Sequence, residues 1–139
     1  HSPQFAENAK ALQSRLQAKV KTWQERIDRS GISKIVTYHK TLTYFFERFK
    51  LLNPIILEPK PGIPPTSGHI LKVIETIQAE KIPLILVENF FDPSVTKKIS
   101  ASIPTIRRST VAVSVDGATG IHTIDDLFES LVKSIEGGK

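Results

Sequence analysis

The 139-residue sequence contains no cysteine and no methionine. Without cysteine there is no disulfide framework, no thiolate metal site and no thiol nucleophile, and on that count an extracytoplasmic and a cytoplasmic address fit equally well. A chain that begins at His1 and holds no Met reads as a processed or excised piece, so a missing signal peptide says little about its parent. No apolar run approaches the length that crosses a membrane, so no transmembrane segment is expected in this piece. The familiar signatures of nucleotide and nucleophilic chemistry are missing too: there is no Walker phosphate loop, no glycine fingerprint after the first strand and no nucleophile elbow. Ser, His and Asp all occur, but no serine stands in a strained strand-to-helix turn. The early acid pair of a phospho-receiver domain is also absent. An enzyme is not the expected reading.

Aromatic residues are few, at 7%. They do not interleave with the basic residues as a stacking platform for nucleic acid requires. The formal charge is +5, from 19 Lys and Arg against 14 Asp and Glu. That excess is spread over amphipathic helices, its densest cluster being Arg107 and Arg108, so a mixed solvated surface is expected and no nucleic-acid partner. What the chain does have is a 40% hydrophobic fraction and a length suited to one domain with a continuous core.

Residues 4–30 have the period of one long helix. Phe5, Ala9, Leu12, Leu16, Val20, Trp23 and Ile27 recur at steps of three and four, and Gly31 offers a stop. Such a helix is either a connector from a neighbouring domain or an ordinary outer-layer helix. Short strands are expected at 35–38, 54–57, 84–87 and 111–115, with helical stretches between them. Thr66 or Ser67, the Asp92-Pro93 pair, and Thr123 with Asp126 supply helix starts. The segment Glu58-Pro59-Lys60-Pro61-Gly62-Ile63-Pro64-Pro65 cannot be regular structure and reads as a rigid exposed loop. This alternation implies an α/β three-layer domain, a four-stranded parallel sheet flanked by helices and joined by right-handed crossovers.

Four apolar runs end in a potential ligand: IVTY before His39, PIIL before Glu58, PLILV before Glu88 and VAVSV before Asp116. The carboxyl ends of parallel strands share one edge, where such folds place their sites. An imidazole and three carboxylates on that edge suit a hard or borderline cation. His39 reads either as a ligand or as a capping or packing histidine. Asp116, in VDGATG, reads either as a ligand or as an Asx-turn residue that satisfies its own loop. Glu58 and Glu88 are weaker candidates, as second-layer acceptors, interdomain contacts or caps. His1, His69 and His122 have no ligand spacing and are assigned structural or incidental roles.

The stretch TYHKTLTYFFERFKLLNPIILEPKPGIPPTSGHI, residues 37–70, resembles the opening of the C-terminal lobe of the solute-binding proteins of zinc and manganese ABC importers. The helix NAKALQSRLQAKVKTWQERI, with its late Trp, is similar to the one that precedes it in that family. The resemblance covers essentially the whole chain and implies one lobe of a two-lobed protein. Residues 1–31 would be the connector or outer helix and 32–139 the C-terminal metal-binding lobe. By the resemblance, His39 and Asp116 are this lobe's two metal ligands, and two histidines come from an N-terminal lobe not in this sequence. The family's segment after the aspartate is usually longer and richer in serine than the one here.

The resemblance further implies a periplasmic or extracytoplasmic protein, lipid-anchored in some parents, that presents its ion to a membrane permease. The cargo would be zinc or manganese in the complete protein, with a weak site or none in this piece alone. A histidine at the first position leans toward zinc. The other reading is a metal-independent adhesion or interaction domain of the same fold, with the His39 ring turned into packing and Asp116 satisfied by its own turn.

Overall fold

A computed structural model describes residues 3–137; His1 lies outside them. Helix α1 (Pro3–Ser30) leads into strand β1 (Val36–Thr37), a 3-10 turn at Lys40–Leu42 and the short helix α2 (Thr43–Arg48). Then follow β2 (Ile55–Ile56), α3 (Ser67–Glu80), β3 (Leu84–Glu88), α4 (Ser94–Ser102), β4 (Arg107–Val111) and α5 (Ile124–Glu136). The strands form one parallel sheet in the order β2-β1-β3-β4. The architecture is the three-layer α/β domain that the alternating pattern implied. Among the described residues no helix is long and apolar enough to cross a membrane.

The central strand β3 is buried throughout, as a strand covered on both faces must be. Its side chains alternate between two cores. Leu84 and Leu86 join Trp23, Ile27, Phe45, Phe49, Leu131 and Ile135 beneath α1, α2 and α5. Ile85 and Val87 join Val73, Ile77 and Ile99 beneath α3 and α4. Each fully buried Leu or Ile contributes about 1.5–3 kcal/mol of transfer free energy, so β3 is the spine of the sheet.

The fourth strand departs from expectation. It runs over Arg107–Val111 rather than 111–115, pairing Leu84 with Arg107 and Glu88 with Val111. An edge strand needs no continuous apolar run, and this one carries Arg107, Arg108, Ser109 and Thr110 with a half-buried, exposed alternation. Arg107 also secures a helix end, because its guanidinium donates to the carbonyls of Ser134 (2.6 Å) and Ile135 (2.5 Å). A cation is thereby placed on the unsatisfied C-terminal carbonyls of α5. Asp116 consequently lies five residues beyond the end of β4, in a loop, rather than directly at a strand end.

Helix starts follow their chemistry. The Thr66 hydroxyl accepts from the His69 N–H, and Thr123 with Asp126 forms a reciprocal capping box on α5. Helices α1 and α5 run side by side in the same direction, because Arg15 meets Asp125 while Arg26 reaches Glu136. Between these contacts Trp23 stacks on Phe128 at 5.3 Å and its indole N–H donates to Glu129. Only Trp23 and Ile27 of α1 are buried; Phe5 and Leu12 are exposed. Since Arg15 lies level with the start of α5, the first dozen residues of α1 overhang the domain by about 17 Å. They do so on the side where α5 begins, which is the carboxyl edge of the sheet.

Candidate metal centre

His39 follows β1 directly and has extended backbone (φ −132°, ψ 179°). Its carbonyl accepts from the Thr37 hydroxyl (3.0 Å), and its N–H donates to Glu88 Oε1 (3.3 Å). Because β1 lies between β2 and β3, the residues ending those neighbours flank it: Glu58 on one side and Glu88 on the other.

Glu58 is held by its own loop. Its N–H donates to the Tyr38 carbonyl (2.9 Å), and its Oε1 accepts from the Gly62 N–H (2.8 Å). Gly62 sits at φ 75°, in the left-handed region that favours glycine, and Pro59 and Pro61 stiffen the turn. The other oxygen, Oε2, lies 3.0 Å from His39 Nδ1. The two atoms are in reach but not in line, since no well-formed hydrogen bond meets Nδ1. Nδ1 is buried while the side chain as a whole is 27% exposed, so the solvent-facing part of the ring is the edge away from Nδ1.

The surroundings are acidic and apolar together. Tyr38 stacks on Phe91 at 4.4 Å, and the His39 ring lies tilted against the same Phe91 at 6.1 Å. Burial first, then the charges of Glu58, Asp92 and Glu88, push the Tyr38 phenol above its usual range and keep it neutral. Asp92 opens α4 by accepting from the Ser94 N–H and hydroxyl, which hold its carboxyl below the ordinary value.

Asp116 sits elsewhere along the edge. It is a non-glycine residue at φ 59°, its N–H donates to the Ile121 carbonyl (2.7 Å), and Asn89 ties the loop to the end of β3 through the Gly117 carbonyl (2.6 Å). Its Oδ1 meets His122 Nδ1 at 3.0 Å, with both side chains about three-quarters exposed. The expected ligands therefore belong to two different pairs, His39 with Glu58 and Asp116 with His122. Strand β3 lies between β1 and β4, so their ends are about 10 Å apart. His69 is structural, its ring meeting the Ile56 carbonyl at 3.1 Å. Among the described residues no three His, Asp or Glu side chains gather tightly enough to hold a metal ion by themselves.

Glu58 and Glu88 are recognisable in the sequence as strand-end residues, but their partner is not. That both converge on His39 follows only from the strand order. The Asp116–His122 pair carries no sequence signal at all, since it depends on how one short loop closes.

The family model described as the periplasmic zinc-uptake complex component A matches residues 1–137. No curated protein sequence matches the chain. Among solved structures, the chain is similar to ZnuA, with a TM-score of 0.79 at 16% identity over 96% of this chain and 49% of that one. It is similar to a mutant of the laminin-binding adhesin Lmb of Streptococcus agalactiae, with a TM-score of 0.79 at 15% identity over 97% and 52%. It is also similar to a Cd-bound periplasmic metal-binding protein of Candidatus Liberibacter asiaticus, with a TM-score of 0.77 at 20% identity over 95% and 51%. At such identities the likeness is one of fold, and the chain spans about half the length of each.

Proposed function

Because this chain belongs to the periplasmic zinc-uptake component A family, one of uptake components rather than enzymes, we propose that it is the C-terminal lobe of a metal-binding solute-binding protein of an ABC importer. In this reading residues 32–139 form the lobe, and residues 1–31 are the connector to an N-terminal lobe that supplies two further ligands. The closed protein presents its ion to a membrane permease. The cargo is a divalent cation, zinc in preference to manganese, because an imidazole ligand suits zinc while manganese favours all-oxygen sets.

The observation that carries this reading is the His39–Glu58 pair at the sheet edge. Metal-binding histidines characteristically turn one ring nitrogen to a carboxylate, which fixes the tautomer and makes the other nitrogen a better donor. Here the nitrogen at the carboxylate is buried, and the opposite edge of the ring is the part that meets solvent. The overhang of α1 adds support: it projects past the same edge and leaves Phe5 and Leu12 uncovered where a second lobe would lie.

Asp116 is the second ligand of the proposal. To reach a cation at His39 it exchanges His122 for the metal, which requires the loop after β4 to move. A second reading has its own observation: Asp116 is already partnered within its loop, as in a metal-independent adhesion domain. Calorimetric titration of the full-length protein with zinc and manganese, before and after His39→Ala, separates the two. Tight zinc binding that collapses in the variant is the expected result, whereas absent binding, or binding indifferent to His39, favours the adhesion reading.

A further inference from the structure

Glu88 has no part in the ligand set just proposed, yet it is the most anomalous side chain in the domain. It is fully buried, 0% exposed, at the end of the central strand. One oxygen accepts a single long bond from the His39 backbone N–H (3.3 Å), and the other, Oε2, has no hydrogen-bond partner. Among the described residues no Lys or Arg is ion-paired to it or to Glu58; the only cationic candidate at Glu58 is the His39 ring. A buried carboxylate in such surroundings is costly, and structures normally neutralise the cost with a cation or a full set of donors. Packing alone would be better served by an apolar residue continuing the Leu84–Val87 run.

We infer that Glu88 is a positioning residue for the proposed metal site, retained at a cost to the metal-free fold because its carboxylate seats the His39 backbone and supplies negative potential where the cation arrives. This rests on the metal-binding reading above and extends it to a residue that does not ligate. Two carboxylates then serve one imidazole in different ways. Glu58 addresses the ring through Nδ1, whereas Glu88 addresses the main chain that carries the ring. In a dry setting such potential acts with little screening, and the divalent charge of the cargo answers it.

The test is Glu88→Gln in the full-length protein, which keeps the shape and one acceptor oxygen but removes the charge. Zinc(II) affinity is measured by calorimetric titration, and the melting temperature of the metal-free protein is measured beside it. The expected result has opposite signs: zinc binding weakens about 10–100-fold, the range typical of residues that support metal ligands, while the metal-free melting temperature holds or rises. Affinity within twofold of the unaltered protein overturns the inference. So does a joint fall of affinity and melting temperature, or a failure to fold, because each marks Glu88 as ordinary structure. If the unaltered protein itself takes up no zinc, the metal-binding reading fails and the role of Glu88 fails with it, a result distinct from loss in the variant alone.

Discussion

The two regions that carry the expected ligands are built in opposite ways. His39 stands on the end of a strand inside the sheet, its backbone fixed by Thr37 and Glu88 and its ring beside the 8%-exposed carboxylate of Glu58. Asp116 stands on a loop five residues past an edge strand, in left-handed backbone, with its carboxylate three-quarters exposed beside an equally exposed His122. In the proposed site the backbone of the first region is already set before any cation arrives, with only the Nδ1–Glu58 alignment left to form. The second has to break a contact and shift a hydrogen-bonded loop, and that cost is drawn from the binding free energy. The lesson is an asymmetry: the two proposed ligands of the lobe should not contribute equally.

Substitutions rank this difference. The largest effect on zinc affinity in the full-length protein is expected from His39→Ala, a loss of more than about 100-fold, since it removes a donor rather than its support. Next comes Glu58→Gln, which leaves the ring but takes away the charge at Nδ1; a calorimetric loss of about 10–100-fold is expected. Asp116→Asn should cost less, about tenfold or under, because part of the aspartate's interaction is offset by giving up its His122 contact and shifting the loop. If Asp116→Asn proves as damaging as His39→Ala, the asymmetry is wrong and the loop is as pre-arranged as the strand.

The smallest effect on the site is expected from Arg26, which serves stability alone. Its guanidinium bridges Glu129 (2.8 Å) and Glu136 (2.6 Å), binding α1 to α5 and holding both carboxyls below their ordinary range. A folded-state value below the unfolded one gives stability that is complete above about pH 4.3 and is lost as pH falls through the lowered folded values. Arg26→Gln should therefore lower stability by about 1 kcal/mol at pH 7, after screening by solvent. The gap to the unaltered protein should close in thermal melts near pH 3, and zinc affinity at pH 7 should stay within twofold. A persistent gap in acid would mean that Arg26 acts through packing.

Much of this arrangement was legible in the sequence because it follows from local chemistry. Short β-branched runs ending in polar residues mark parallel strands, and Thr123 with Asp126 announces α5. Where legibility failed, the cause was long-range. The run Val111–Val115 alternates like a strand, but the sheet uses Arg107–Val111, whose polar residues suit an edge and whose Arg107 caps a helix 27 residues away. The α1 stripe is visible in its period, yet its first dozen residues are uncovered because α5 begins only opposite Arg15. Glu58 and Glu88 each end a strand. Their convergence on His39 depends on β1 lying between β2 and β3, which no local pattern encodes.

The proposed site turns on Glu58, 3.0 Å from His39 Nδ1, holding the ring when the outward nitrogen takes a cation. Nitrogen-15 NMR of the full-length protein carrying labelled histidine addresses this directly, by following the His39 ring through a zinc titration. Nε2 is expected to move to a metal-bound shift while Nδ1 keeps its proton toward Glu58. A zinc-dependent change at Nδ1 with Nε2 unaltered, or no response from His39 at all, would contradict it.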